Sequence, residues 1–364
     1  MNPLRIGIVG CGNISGIYFK NLGSYRSTEV VACADLDVER AKSIGAENGV
    51  FGMSTDDLVA REDVDLVLNL TVPKAHSEVA LKAIESGKHV YNEKPLTISR
   101  EDGRRLLELA AGKGLRVGCA PDTFLGGGLQ TCRALIDSGA IGDPVAAHAF
   151  MLCHGHESWH PSPEFYYEEG GGPMFDMGPY YLTALVSLMG PIRRISGSTR
   201  ITFPERTITS EPKKGKVIEV ETATHIAGIM DFASGAIGEI TTSFDVWHAK
   251  LPCISIYGTE GSMIVPDPNG FGGEIFVRGK SGKDWDLMPL THGFAENARG
   301  LGVLDIAHAI AENRPHIASG ELAYHVLDAM HAFDESSKAG RHIELESTAK
   351  QPRALAPDAY ADEL

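Results

Sequence analysis

The cluster Gly10-Cys11-Gly12-Asn13-Ile14-Ser15-Gly16 constrains this chain more than any other stretch. It follows the apolar run Ile6-Gly7-Ile8-Val9 and opens a segment of helical pattern, so a buried strand turns directly into a helix. Gly10 permits the tight turn, Gly12 lets the backbone approach a ligand, and Ser15 is small enough to stand where a third glycine would allow close helix–strand packing. Free N–H groups at that helix start favour a pyrophosphate. A glycine-rich turn without a ligand is the plain alternative, and the placement between strand and helix favours the dinucleotide. Asp35 ends the second strand, where a carboxylate accepts hydrogen bonds from ribose hydroxyls and repels a 2′-phosphate, which points to NAD rather than NADP. Asp37 is assigned to capping the next helix.

Around this turn, the first ~120 residues alternate short β-branched runs with amphipathic helical stretches, the pattern of a parallel sheet with crossover helices. Helices are expected over Val38 to Asn48, His76 to Ser86 and Ser99 to Ala111, ended by Gly49, Gly87 and Gly112. After Cys119 the rhythm changes. A helix over Gly128 to Ser138 and another over Asp176 to Leu188 are followed by successive strands from Ile192 to Arg278, the sign of an antiparallel sheet. Two helices, Arg299 to Glu312 and Gly320 to Ala339, end the fold, and the tail beyond Arg341, which lacks periodicity, is expected to be loosely held. The expected fold is α/β. An N-terminal Rossmann parallel sheet that binds NAD is expected over residues 1–122, and an α+β domain with a mostly antiparallel sheet over 123–364.

Composition excludes several functions. With 33 Lys+Arg against 48 Asp+Glu, the net charge of −15 disfavours nucleic acid or an anionic membrane as partner. No apolar run reaches the ~18 residues of a membrane span. The six cysteines are widely spread with no CxxC pair, which reads as reduced thiols in a cytoplasmic protein.

Glu93-Lys94-Pro95 follows the strand Lys88 to Tyr91, at the carboxyl end of the parallel sheet where such folds bind ligands. Together with Asn69-Leu70-Thr71-Val72-Pro73-Lys74-Ala75-His76, Gly87-Lys88-His89-Val90, Gly139-Ala140-Ile141-Gly142 and the segment from Gly170-Gly171-Gly172 to Asp176-Met177-Gly178, it resembles the Gfo/Idh/MocA oxidoreductases over nearly the whole chain. The resemblance implies that Gly10, Gly12, Asn13, Ile14, Asp35, Thr71, Pro73, His76 and Glu93 bind the cofactor, with Thr71 and Glu93 on the nicotinamide side. It also implies that Lys94 is the catalytic lysine and Asp176 the acidic residue before the site helix. One turn later the family usually has His, and here stands Tyr180. The resemblance further implies that the sheet of the 123–364 domain is large and open and that this domain serves substrate binding and oligomerisation.

Alcohol oxidation removes a hydride from carbon and a proton from oxygen, so it needs a proton acceptor within hydrogen-bond reach. A lysine beside bound NAD⁺ feels a positive charge and partial desolvation, and both lower its pKa. Lys94 as base with Tyr180 assisting is favoured over Tyr180 as base, and Tyr180 as a core aromatic is the structural alternative. Asp176 and Tyr180, four residues apart, are expected on one helix face. In the loop His154-Gly155-His156-Glu157-Ser158-Trp159-His160, Trp159 is read as stacking on a sugar face and His160 as bonding a hydroxyl. Both join Lys94, Asp176 and Tyr180 as substrate-binding residues, with Trp247-His248 a weaker candidate for the pocket wall. His154, His156, Glu157 and His160 as metal ligands is the less favoured reading, and no metal is expected. His225 and His325 are read as structural.

The expected protein is thus a homo-oligomeric NAD-dependent dehydrogenase of a sugar or glycoside ring hydroxyl, with oxidation at the 3-position preferred and a cyclic polyol such as inositol as the rival substrate. A non-catalytic NAD-binding regulator and a metal-dependent isomerase or hydrolase are the readings from other classes.

Overall fold

The computed structural model describes residues 2–363, which divide into two compact units. The first comprises Met1–Gly126, His292–Leu327 and Leu355–Leu364, the second Gly127–Thr291 and Asp328–Ala354.

In the first unit, strands β1 (Leu4–Val9), β2 (Thr28–Ala34), β3 (Phe51–Met53), β4 (Leu66–Asn69), β5 (His89–Asn92) and β6 (Val117–Cys119) form a parallel sheet of order β3-β2-β1-β4-β5-β6. That order reverses between β1 and β4, and open α/β sheets bind ligands at the carboxyl ends of such a pair. The helices are α1 (Ser15–Leu22), α2 (Val38–Asn48), α3 (Thr55–Ala60), α4 (His76–Glu85) and α5 (Arg100–Gly112). Local chemistry sets their ends. Asp37 accepts the Glu39 and Arg40 N–H groups at the start of α2, and Gly49 closes it at φ +71°. Ser54 and Ser99 cap α3 and α5 by accepting the Asp57 and Asp102 N–H groups.

The second unit opens with α6 (Gly127–Asp137), β7 (Pro144–Leu152), α7 (Gly172–Asp176) and α8 (Gly178–Met189). Strands β8 (Ile192–Arg200), β9 (Glu205–Thr207), β10 (Val217–Glu219), β11 (His225–Phe232), β12 (Ile237–Ser243), β13 (Ile254–Gly258), β14 (Gly261–Val265), β15 (Ile275–Gly279) and β16 (Asp286–Met288) follow. Helices α9 (Leu301–Ala311) and α10 (Gly320–Ala339) and strand β17 (Ile343–Glu344) complete the order. Nine strands form one sheet, β16-β15-β14-β13-β7-β12-β11-β8-β17, antiparallel throughout except for the parallel β7–β12 pair. One sheet face is buried, with Ala147, Ala149, Ile240 and Met230 turned to it. The outward positions of β11 and β12 keep Ile229 and Ile237 exposed.

Residues 292–327 and 355–364, which follow the 122/123 boundary expected from sequence, group by contact with the first unit. Two other expectations change. The tail is held in that unit: Glu363 is 3% exposed and accepts the Ser27 N–H at 2.9 Å and the Ser27 hydroxyl at 2.6 Å, while the Tyr360 hydroxyl donates to Asp305. The Ser27 bonds span 336 residues and the Asp305 bond 55, and neither leaves a local pattern. The helix expected from Asp176 is two helices broken at Met177, because Pro179 has no N–H to continue the ladder from α7.

Candidate active site

The turn after β1 is shaped by close backbone approach. Gly10 lies at φ +101°, and a Cβ there would stand 2.7 Å from the Leu70 carbonyl carbon and oxygen, so no other residue fits between β1 and β4. Gly12 is the opposite case: a Cβ would meet nothing within 4 Å, which leaves open space above the exposed amides at the start of α1. The buried Ser15 hydroxyl donates to the Gly12 carbonyl at 2.8 Å and ties the turn to α1.

Asp35 closes the other side. Its Oδ2 accepts the Cys11 N–H at 2.9 Å, and its Oδ1 accepts the Asp37 N–H at 3.0 Å, so the carboxylate is fixed at the lip of the glycine turn. A cavity of about 580 Å³ opens here, lined by Gly10, Gly12, Asp35, Leu36, Thr71 and Val72 among others. Leu36 is 99% exposed, the mark of an apolar surface without a protein partner. An anion seat, a ribose acceptor and an apolar slot around one cavity fit a dinucleotide.

Of the other residues expected at the cofactor, Asn13, Ile14, Pro73, His76 and Glu93 do not line this cavity. Asn13 and Ile14 are exposed on the turn, and Pro73 begins a short 3-10 turn. His76 is fully buried, with Nδ1 2.7 Å from the Pro95 carbonyl and Nε2 3.0 Å from the Thr71 carbonyl. Burial lowers its pKa and the two carbonyls raise it; a neutral ring braces the loops by donating to one of these carbonyls only and packing against the other. Asn69 and Asn92 extend the brace. Asn69 donates to Asn92 Oδ1 at 3.0 Å and accepts the Thr71 hydroxyl at 2.6 Å, while Asn92 donates to the Leu96 carbonyl at 2.9 Å. Sequence reasoning quoted Asn69 without a role and missed Asn92. Their signal is an amide at the last position of adjacent parallel strands, where the ladder stops and loop amides need partners.

Glu93 positions the lysine. Its Oε1 accepts the Tyr18 hydroxyl at 2.7 Å and its Oε2 accepts the Lys94 N–H at 2.9 Å. The backbone that presents Lys94 is therefore set by a carboxylate that is itself anchored to α1.

In the second unit, Asp176 ends α7 and Tyr180 lies in the first turn of α8, a helix buried from Gly178 to Met189. The His154–His160 loop precedes them in sequence. Glu157 is drawn inward by Arg206, which is 5% exposed and donates to Glu157 Oε1 at 2.8 Å, to the Phe244 carbonyl at 2.9 Å and to Asp245. Tyr167 donates to the other Glu157 oxygen. His156 Nε2 meets Asp176 Oδ2 at 3.2 Å, and His154 stacks on Trp247 at 3.4 Å. His160 uses Nδ1 to accept the Ser162 N–H at 3.0 Å, and Trp159 is 61% exposed beside it. Three of the four candidate metal ligands have polar partners of their own and the buried Nδ1 of His154 has none, and no group of three or more His, Cys, Asp or Glu among the described residues is placed to hold a metal. His325 is fully buried and His225 pairs with Ser243, as structural histidines do.

Residues 4–120 match the family described as "Oxidoreductase family, NAD-binding Rossmann fold", and residues 129–264 match "GFO/IDH/MocA C-terminal domain". Together the two matches cover more than half of the chain. The chain belongs to the Gfo/Idh/MocA family. It is an NAD-dependent oxidoreductase of that family. Among Gfo/Idh/MocA relatives, a 1,5-anhydro-D-fructose reductase from Ensifer adhaerens is 29% identical over 71% of this chain and 75% of its own length. A scyllo-inositol 2-dehydrogenase (NAD(+)) from Bacillus subtilis is 26% identical over 79% of this chain and 80% of its own length. The structure titled levoglucosan dehydrogenase, complex with NADH and L-sorbose, shares the fold with a TM-score of 0.82 at 19% identity, covering 95% of this chain and all of that one.

Proposed function

We propose that the chain oxidises a ring hydroxyl of a sugar or glycoside, at the 3-position, to a keto-sugar with NAD⁺ as acceptor. The observation that carries this reading is the chain of bonds from Tyr18 through Glu93 to the Lys94 backbone, which fixes a lysine at the carboxyl end of β5. NAD⁺, when bound, supplies the hydride acceptor. Gly10, Gly12 and Asp35 would hold it, with Thr71 and Val72 along the same cavity. Lys94 binds the reacting oxygen and stabilises the charge that grows on it as the proton leaves. Asp176 and Tyr180 complete the proton-handling set, and Trp159 and His160 take the sugar by stacking and by hydrogen bonding. The anhydrofructose reductase and the inositol dehydrogenase support a polyhydroxylated substrate.

The boundary near residue 122 separates cofactor binding from substrate binding in this reading. We also propose a homo-oligomer that covers the outward sheet face, where Ile229 and Ile237 are 40% and 54% exposed. We further propose a cytoplasmic location. All six cysteines are free thiols, and among the described residues no helix is long and apolar enough to cross a membrane. The net charge of −15 argues against a nucleic-acid partner.

The test is a panel of pyranoses, glycosides and inositols incubated with NAD⁺ and followed at the absorbance of NADH. Glycosides with a free 3-hydroxyl are expected to react and their 3-deoxy analogues to be inert. Turnover confined to inositols would make the chain a cyclic-polyol dehydrogenase, and no turnover with any alcohol would refute the reading.

A further inference from the structure

Tyr180 stands where the family usually has histidine, and it is 7% exposed in the wholly buried α8. The same unit brings an imidazole to Asp176 by another route. His156, on the loop after β7, places Nε2 3.2 Å from Asp176 Oδ2, and the two side chains are 12% and 15% exposed. Three aromatic rings wall the imidazole edge-on: Tyr166 at 4.2 Å between centroids, Phe244 at 4.7 Å and Trp159 at 5.2 Å. The His156 N–H reaches the Tyr167 hydroxyl at 3.4 Å, and the neighbouring Glu157 is clamped by Arg206. Ring plane and loop path are therefore both set by packing.

An ionised carboxylate can only accept, so the bond to Asp176 puts the hydrogen on Nε2 and leaves the Nδ1 lone pair as an acceptor. Nδ1 makes no hydrogen bond among the described residues and is not one of the fully buried unpartnered atoms. An imidazole with one nitrogen held by a carboxylate and the other open has the arrangement of a general base with its orienting partner.

We infer that His156, oriented by Asp176, is the residue that takes the proton of the substrate hydroxyl. The inference rests on the dehydrogenase reading and assigns its proton acceptor. The O–H bond breaks and its electron pair forms the second C–O bond, while the carbon-bound hydrogen leaves with its two electrons to NAD⁺. The proton bonds to Nδ1, and the resulting imidazolium is stabilised by the Asp176 carboxylate before release to water. Lys94 keeps its role on the reacting oxygen, and Asp176 becomes a positioning residue. The titratable groups facing the ring are Asp176 from α7, Tyr166 from the turn before it and His160 from its own loop, with the Tyr167 hydroxyl at the His156 backbone N–H. Glu157 and, from the segment after β12, Asp245 share the Arg206 guanidinium, and Asp176 is the carboxylate bonded to the imidazole.

The experiment compares wild type with His156→Gln and Asp176→Asn on a reactive alcohol, with NADH affinity and circular dichroism to verify folding. In His156→Gln, kcat is expected to fall by about 10²–10³ with KM changed less than about threefold, and the acid limb of the kcat/KM profile to disappear. In Asp176→Asn, kcat is expected to fall with KM little changed, because the ring loses the partner that orients it. Side-chain nitrogen NMR of the wild type, without substrate, is expected to show the hydrogen on Nε2, and the Asp176→Asn spectrum to show a mixture of tautomers. A folded His156→Gln protein that keeps the acid limb, whatever its kcat, overturns the assignment, as does a wild-type ring protonated on Nδ1. If wild type oxidises no alcohol in the panel, the dehydrogenase reading itself has failed and the assignment falls with it.

Discussion

Asp35→Ala removes a carboxylate whose surroundings are fully specified: the Cys11 and Asp37 N–H groups at 2.9 and 3.0 Å, and Arg40 Nη1 at 3.7 Å from Oδ1. Two effects push selectivity in one direction. The carboxylate opposes a 2′-phosphate, and at about 5 Å with an effective dielectric of about 20, one pair of unit charges repels by about 3 kcal/mol, reduced to about 1.5 by the open cavity. Loss of a charged acceptor for the ribose hydroxyls costs NADH about 1.5–3 kcal/mol. Arg40, no longer beside Asp35, becomes a cation available to the 2′-phosphate. The sum of about 3–4.5 kcal/mol corresponds to a shift of roughly 10²–10³ in the ratio of NADPH to NADH affinity. Fluorescence titration with each reduced cofactor measures it, and a thermal scan checks that the two freed amides have not loosened the turn. A folded variant whose ratio moves by less than about fivefold would show that Asp35 does not face the ribose.

Lys94→Ala is expected to abolish turnover while NADH affinity stays within about tenfold, since the lysine acts on the substrate oxygen; retained activity in a coupled assay would end the proposed mechanism. Arg206→Met leaves Glu157 and Asp245 as buried carboxylates without their cation, and calorimetry should show a loss of about 3–5 kcal/mol, whereas a transition within about 2 °C of wild type would mean the clamp is not a net stabiliser. Asp122 titrates near 6 because burial disfavours its anion, against the Gly300 and Gly302 N–H groups that favour it. With the folded pKa above the unfolded 3.8, this group's stabilisation is full below about pH 4 and is lost as pH rises through 6, by about 3 kcal/mol. Denaturation curves from pH 4 to 7 should therefore show Asp122→Asn gaining on wild type by that amount, and parallel curves would contradict it.

The parts of the fold readable from the sequence are those specified by neighbours along the chain. Asp37 and Gly49 bracket α2 because a cap acts two or three residues away, and Gly10 is legible because its turn joins a strand to a helix within one motif. The three-residue strand β3 and the six-residue α3 are too short to show a period, so they were missed. The tail failed for a different reason: Glu363 meets Ser27 and His308 across the chain, and a lone glutamate in an aperiodic segment carries no sign of its partner. At the candidate site, Asp35 and Lys94 draw attention because they follow strand ends, and the role proposed for Lys94 comes from the family resemblance. His156 could be quoted only as one of several histidines, because its meaning comes from Asp176, twenty residues later. The same holds for Arg206, whose two carboxylates are 49 and 39 residues away.

The guanidinium of Arg206 divides the labour within the histidine loop. The Glu157 side chain holds that loop through Arg206 and Tyr167, and Trp159, 61% exposed, takes no part in this clamp. On the proposed reading, in which Trp159 and His160 take the sugar, substrate preference could change at the rim while Glu157, Arg206 and Asp245 stay as the mount.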